Sequence, residues 1–558
     1  MIPALLMALT QPIWSRVDEA QHTDFIIQLS HGLYPVADRT VVDPETIRVM
    51  QSTGVFRFES PGSYPVPDVT DLGPPPAGMS ARANANWMSR HLWQLSYESA
   101  QTPGYYVLML PAWWVADSLG GTVVAVYVVR IINALLIALL APMAVIVAWR
   151  LAPGRPDVAA LAALFAALLP GLALNATRVG NDALAAVVGG AVILMAIRWT
   201  GGAWTARRSL LIGLALGAGV LVKLTLLGLA PAVAVAVLWP GSAVSTRRRV
   251  VFLVLSGAVA ALCLGVWLAI NLHLYGVPVP SARTNRLSII PPMPFDLRYV
   301  PFDLAFFVLS FWSGEPLGAL PFAAGFVALG SLIALIAVAG LLRRRVRGGP
   351  EIVALAAIGG MLTVALLLPV AAAFQFAAPG RYEYPALPVI AALLALGVTT
   401  ALARAFARRT LAGLYGIAAA GILIAGAVGL AAEATPAGAQ QVVPPAGAVA
   451  ASSSGDFEGV AITVDRVAFE SGTWIHVTVT NSRSDEVEWN PAPIVAGVAA
   501  DYARSTHLPG DLDPGETVSG WIYAPVDART NQSVEVRFRD VAVDGYMTVG
   551  DVVLQLSV

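Results

Sequence analysis

Charge is scarce in this sequence. Only 12% of its 558 residues are Asp, Glu, Lys or Arg, against about 25% in soluble domains. Hydrophobic residues make up 57%, and the mean hydropathy is +0.70. That shortage excludes soluble globular, disordered, collagenous and coiled-coil chains, and leaves a polytopic membrane protein. Cysteine is nearly absent. Cys263 stands alone in a hydrophobic run, so the chain forms no internal disulfide and no cysteine metal cluster. Lysine is equally rare: Lys223 is the only one, and the other 33 of the 34 basic residues are arginine. Also missing are a basic patch of the kind that binds nucleic acid and an internal repeat.

The formal net charge of −1 conceals a division. From Gly455 onward there are 6 Arg and 16 Asp or Glu, while the rest of the chain holds 28 basic and 19 acidic residues. A basic hydrophobic part is therefore joined to an acidic polar one.

Spanning about 30 Å of hydrocarbon takes roughly 20 apolar residues. Runs near that length lie at 122–149, 157–174, 180–199, 209–224, 225–240, 249–274, 317–342, 351–375, 384–403 and 411–432. Arginine clusters occur between alternate runs: Arg150 and Arg155, Arg198 with Arg207 and Arg208, Arg247 to Arg249, Arg343 to Arg347, and Arg404 with Arg408 and Arg409. The positive-inside rule puts all five in the cytoplasm. Segments 15–121, 175–181, 275–316 and 376–383, and everything after 432, are then expected outside. The localisation expected is a multi-pass plasma-membrane protein. Pro103 to Leu119, rich in aromatics, reads as a helix in the outer interface, where Trp and Tyr are favoured; spanning is the alternative. Met1 to Trp14 is apolar but would reach only about 21 Å as a helix. With no basic residue before it, it reads poorly as a signal peptide, and the recorded start is expected to omit residues.

Residues 433–455, rich in Ala, Pro and Ser, read as a linker. From 456 to 558 the apolar period becomes two, as in GVAITVDRVAF, TWIHVTVTN, TVSGWIYAP and SVEVRFRDV. Turn signals between them predict one small β-sandwich outside the cell.

Ionisable residues at a membrane edge are costly to hold there and mark function. The candidates gather toward one side: Asp18, Glu19 and His22; Glu98; Arg130; Arg178 and Asp182; Lys223; and Arg381, Tyr382 and Glu383. A carboxylate at the lip of a cavity can accept a proton from a hydroxyl; a solvated acidic turn is the plain alternative for Asp18 and Glu19. Asp182 also reads as the start of a helix next to an N-cap. Arg130 reads as the partner of Asp182 or Glu98 in a buried ion pair. Lys223 reads either as a phosphate ligand or as a lysine snorkelling to the interface. The Gly213 to Gly217 spacing predicts a close helix contact.

In order along the chain, WSRVDEAQHTDFI, SYESAQTPGYYVLMLP, VYVVRIINALL, LNATRVGNDALA, GLALGAGVLVKLT, LSFWSGEPLGALP and PGRYEYPALP resemble the GT-C glycosyltransferases. The likeness is to the bacterial protein O-mannosyltransferase and aminoarabinose-transferase type, and covers about residues 10–405. It implies an all-α polytopic bundle of about eleven transmembrane helices, ahead of the β-sandwich. It also implies transfer of a sugar, with inversion, from a polyprenyl-phosphate donor to a cell-envelope glycan or protein acceptor. Asp18 matches the general base and Glu19 its partner. Arg381 matches the donor-phosphate ligand, with Lys223 and Arg178 beside it; His22, Glu98, Arg130, Asp182 and Tyr382 are further cavity residues. Relatives often carry Glu-x-His-x-Pro-Pro where this chain has Ala100 and Thr102. That departure weakens a divalent metal site, since His22 and Glu98 alone supply too few ligands; a divalent metal stays the weaker alternative to no cofactor. A non-catalytic scaffold or glycan-binding protein is the alternative, and a transporter a weaker one.

Overall fold

The computed structural model describes residues 1–14, 18–37, 40–53, 96–240, 244–280, 297, 300–315, 320–344, 348–372, 379–402, 404–433, 447–485, 487–501, 505, 506, 508, 511, 512, 514–529, 533–543 and 548–557. These residues form two compact units, one helical and one of β-strands.

The helical unit begins with α1 (Ile2–Thr10), α2 (Glu19–Ser30) and α3 (Pro44–Thr53). After a short 3-10 turn, Tyr97–Ala100, come α4 (Gly104–Ala138), α5 (Leu140–Leu151), α6 (Pro156–Ala167), α7 (Pro170–Asn175), α8 (Asp182–Trp199) and α9 (Ala206–Val222). A second 3-10 turn, Leu224–Leu229, leads to α10 (Ala230–Leu238) and α11 (Thr246–Tyr275), followed by α12 (Val300–Ser313), α13 (Ala323–Arg343) and α14 (Gly349–Ala372). A third, Gly380–Ala386, precedes α15 (Leu387–Ala401) and α16 (Ala405–Glu433). Most of these sequences are apolar on every side, as suits helices that face either protein or lipid.

Among the described residues, seven segments are long and apolar enough to cross a membrane: 104–151, 182–199, 246–275, 323–343, 349–367, 380–401 and 405–431. Several of the expected apolar runs contain breaks that hydropathy does not register. The run 157–174 divides between α6 and α7 because Pro170 opens the second helix and has no N–H to continue the first. The runs 209–224 and 225–240 are the 17-residue α9 and a 3-10 turn joined to the nine-residue α10. Conversely, α12 is an apolar helix inside 275–316, a stretch read as an external segment.

Two glycine features fix how helices meet. Within α4, Gly120 and Gly121 leave helical geometry, with Gly121 at φ 75°, so Gly104–Leu119 is set off from Thr122–Ala138. That first part buries Tyr105, Tyr106, Met109 and Trp113 and leaves Val107, Leu108, Trp114, Val115 and Leu119 exposed. The expected close contact at Gly213 and Gly217 is with α11: a Cβ there would lie 2.5 Å from Ser256 O and 2.8 Å from Cys263. Only glycine admits that approach.

The β unit is a sandwich. One sheet runs β1 (Val449–Phe457), β2 (Val460–Phe469), β3 (Thr473–Asn481) and then β8 (Thr517–Ala524), all antiparallel. The other is built on β9 (Ser533–Val543), which pairs β10 (Thr548–Ser557) along its length and the short strands β4 (Val487–Glu488) and β5 (Ile494–Val495). The two-residue strands β6 (Val498–Ala499) and β7 (Asp511–Leu512) extend it. Alternation sends Val460, Ile462 and Val464 of β2, Ile475, Val477 and Val479 of β3, and Val534, Val536 and Phe538 of β9 into one core. The first strand opens at Val449, inside the stretch 433–455 read as linker. Its run of Ala, Ser and Gly hides the alternation that the other strands display.

Candidate functional site

The helical unit places most of the charged candidates at helix ends and turns. Asp18 and Glu19 diverge at the start of α2. Asp18 lies just outside the helix in a left-handed conformation, φ 57°, which Asp tolerates better than most residues. Glu19 is the first helical residue, and its side chain is fully buried. Its carboxylate accepts from Arg130 Nε at 2.7 Å and NH2 at 2.5 Å, and from the Val179 N–H at 2.8 Å. Arg130 also donates to the carbonyls of Gln11 (2.7 Å) and Pro12 (2.6 Å). The expected pairing of Arg130 with Asp182 or Glu98 is corrected: its partner is Glu19. The pair binds α2, α4, the end of α1 and the 176–181 loop into one piece.

Arg381, in the 3-10 turn Gly380–Ala386, has a different environment. Each of its three nitrogens faces a separate carboxylate: NH2 to Asp18 Oδ2 at 3.4 Å, NH1 to Asp182 Oδ2 at 3.8 Å, and Nε to Glu315 Oε2 at 3.2 Å. Asp182, first residue of α8, also accepts from Lys223 Nζ. Lys223 follows α9 and lies 5.0 Å from the centroid of the Tyr382 ring, a cation–π distance. Arg178 approaches Glu315 Oε2 at 3.9 Å and donates to Asn175 Oδ1 at 3.1 Å; that oxygen also accepts from the Glu315 N–H at 2.9 Å. Burial, and then the nearby Arg381 charge, lower the pKa of Arg178. Three cations (Arg178, Lys223, Arg381) and three carboxylates (Asp18, Asp182, Glu315) thus share one cluster.

A second group adjoins it through Asp18. His22 lies one turn along α2, with Nδ1 2.7 Å from the Tyr106 hydroxyl and 3.6 Å from Glu98 Oε2. Burial lowers the His22 pKa to about 4, against the pull of Asp18. Burial and Asp18 raise Glu98 to about 8. One ligand atom from each of Asp18, His22 and Glu98 lies within 4.8 Å of the others. Glu98 Oε2 is buried without a hydrogen-bond partner among the described residues. Two carboxylates and an imidazole suit a divalent cation, so these residues fit the metal that the sequence reading supported only weakly. That reading considered His22 and Glu98 without the third donor, Asp18.

Sequence reasoning also missed Glu315. It lies just after α12, in the motif LSFWSGEPLGALP, and its position between an unforeseen helix and the next apolar run made it look like an external loop residue. Tyr382 faces the cluster through Lys223. Glu383 is buried, with neither carboxylate oxygen bonded among the described residues.

Over residues 2–390 the sequence matches the family described as "Predicted membrane protein (DUF2142)". The chain belongs to that family. No curated protein matches it. Among solved structures, this DUF2142 chain is similar to the oligosaccharyltransferase AglB of Archaeoglobus fulgidus, solved with an inhibitory peptide and a dolichol-phosphate. Identity is 15% and the TM-score 0.40, over 77% of this chain and 55% of that one. It is also similar to ArnT of Cupriavidus metallidurans bound to undecaprenyl phosphate, with 13% identity and a TM-score of 0.36, over 74% and 75%. The DUF2142 chain spans about half the length of the archaeal oligosaccharyltransferase structures.

Proposed function

We propose that this DUF2142 protein is a multi-pass plasma-membrane glycosyltransferase of GT-C type, working on the extracytoplasmic side. It takes a sugar from a polyprenyl-phosphate donor and passes it to a hydroxyl of a cell-envelope glycan or protein, inverting the anomeric carbon. In the step itself, Asp18 takes the proton of the acceptor hydroxyl. The acceptor oxygen bonds to the anomeric carbon from the face opposite the phosphate, the bond from that carbon to the phosphate oxygen breaks, and the polyprenyl phosphate leaves. Arg381, with Lys223 and Arg178, balances the charge that develops on the leaving phosphate. Glu19 acts through the backbone, holding the start of α2 in place by its grip on Arg130. A divalent cation at Asp18, His22 and Glu98 would add positive charge beside the phosphate. The acidic β-sandwich, which begins at Val449, is extracytoplasmic and binds acceptor polymer.

The observation that supports this reading most is the 3.4 Å approach of Asp18 to Arg381. It puts a candidate base and a candidate phosphate ligand from opposite ends of the helical unit beside each other. The test incubates purified protein with labelled polyprenyl-phosphate sugars and envelope acceptors, comparing the natural chain with Asp18→Asn. Loss of a general base is expected to slow transfer about 10²- to 10⁴-fold. Unchanged transfer by the variant removes Asp18 from the base role. Absence of transfer by the natural chain from every donor favours the non-catalytic scaffold.

A further inference from the structure

Arg381 and Arg130 are both buried arginines facing carboxylates, but they are held differently. Charge-assisted N–H···O bonds are typically about 2.7–2.9 Å long, and Arg130 meets Glu19 within that range or closer. The contacts of Arg381 are all longer, at 3.2, 3.4 and 3.8 Å, and its Nε makes no hydrogen bond among the described residues. Arg130 is clamped. Arg381 is surrounded but loosely held, with a carboxylate on every edge, so an incoming phosphate must displace one of them to pair bidentately.

The three carboxylates are not equally displaceable. Glu315 has an 8% exposed side chain, its own N–H is fixed to Asn175, and Arg178 stands beside it. Asp182 is 10% exposed and bonded to Lys223. Asp18 is the outermost, at 27%, and sits on a left-handed residue outside the helix. We propose that the lipid phosphate takes the Arg381 edge that Asp18 occupies, so that donor binding itself releases the Asp18 carboxylate toward the acceptor. Exchange of one anion for another keeps Arg381 neutralised throughout. The site would then hold its base restrained until a donor is in place. This inference rests on the glycosyl-transfer reading.

The test is equilibrium binding of sugar-free polyprenyl phosphate, with polyprenol as the uncharged control, to the full chain in detergent. Four proteins are compared: natural, Asp18→Asn, Arg381→Lys and the double variant. Removing the competing carboxylate should tighten phosphate binding about tenfold, the scale of one hydrogen bond to a charged group, and leave polyprenol binding unchanged. In the Arg381→Lys background, where no guanidinium edge exists to be exchanged, the gain should shrink below about twofold. Equal tightening in both backgrounds overturns the exchange, because it reflects only the removal of a negative charge. Unchanged or weaker binding by Asp18→Asn also overturns it, while phosphate binding by the natural chain leaves the donor reading intact. If the natural chain does not prefer the phosphate to the alcohol, the donor reading fails and the exchange with it.

Discussion

Glu19 and Arg130 form a bidentate ion pair in which neither side chain is exposed at all. The pair removes Glu19 from its sequence neighbour Asp18 and gives the two carboxylates separate tasks. Glu19 ties elements together within the protein, and Asp18 faces the cluster around Arg381. Burying two charges costs several kcal/mol per ion, so such a pair persists only when every donor and acceptor is matched. Here the Gln11 and Pro12 carbonyls and the Val179 N–H complete the set.

Breaking that pair is expected to be severe. Glu19→Gln leaves the Arg130 charge buried without a counter-ion and should destabilise the protein by about 3–5 kcal/mol. Arg130→Lys should not spare it, since an ammonium cannot reproduce the bidentate fork. Replacing both residues by methionine should cost less than either single change. Unfolding in detergent, followed by tryptophan fluorescence, measures all three; additive losses would contradict the pairing.

Gly380 provides a steric test that touches no charged group. A Cβ there would lie 2.4 Å from both Phe307 O and Phe311 N, and neither is a flexible side-chain end. Gly380→Ala should therefore push the 3-10 turn off α12 and carry Arg381 with it. Overpacking of this kind costs about 1–3 kcal/mol. The larger expected effect is on donor use, since displacement of a binding group by about 1 Å can cost about a hundredfold. Steady-state kinetics with varied donor should show it at a temperature where the variant is fully folded; a change in stability alone would sever the link between this turn and the donor.

Glu98 gives a pH dependence with a definite sign. Its pKa is about 8 in the folded chain against an ordinary 4.5. Below the ordinary value both folded and unfolded forms are protonated, and the group contributes nothing. Between there and about 8 the unfolded chain loses the proton that the folded chain keeps, so stability falls as pH rises. Above that the penalty is constant. His22, lowered to about 4, acts in the opposite sense below its ordinary value of 6.5, but equally in any variant that keeps it. Glu98→Gln never ionises. Its melting temperature should fall less than that of the natural chain from pH 5 to 8; parallel curves would mean that Glu98 is ionised in the folded protein.

Composition and period alone were enough for the class of this protein. Low charge, long apolar runs and the change to a period of two beyond 456 required a helical membrane unit followed by a sandwich, because burial of apolar surface depends on local pattern. They also located the strands β2, β3, β8 and β9, where Val and Ile alternate with polar residues. They failed for β1, whose small residues carry no pattern, and for the break at Pro170 that divides the apolar run 157–174. The titratable candidates were visible as charges placed where charge is costly. Which of them meet was not. Asp18 and Arg381 are separated by most of the helical unit in sequence, and Arg130 had several carboxylates within plausible reach. Pairing depends on which helix ends pack together and on which donors are left to satisfy, and only the folded chain decides that. The same holds for Glu315 and for the third donor beside His22 and Glu98.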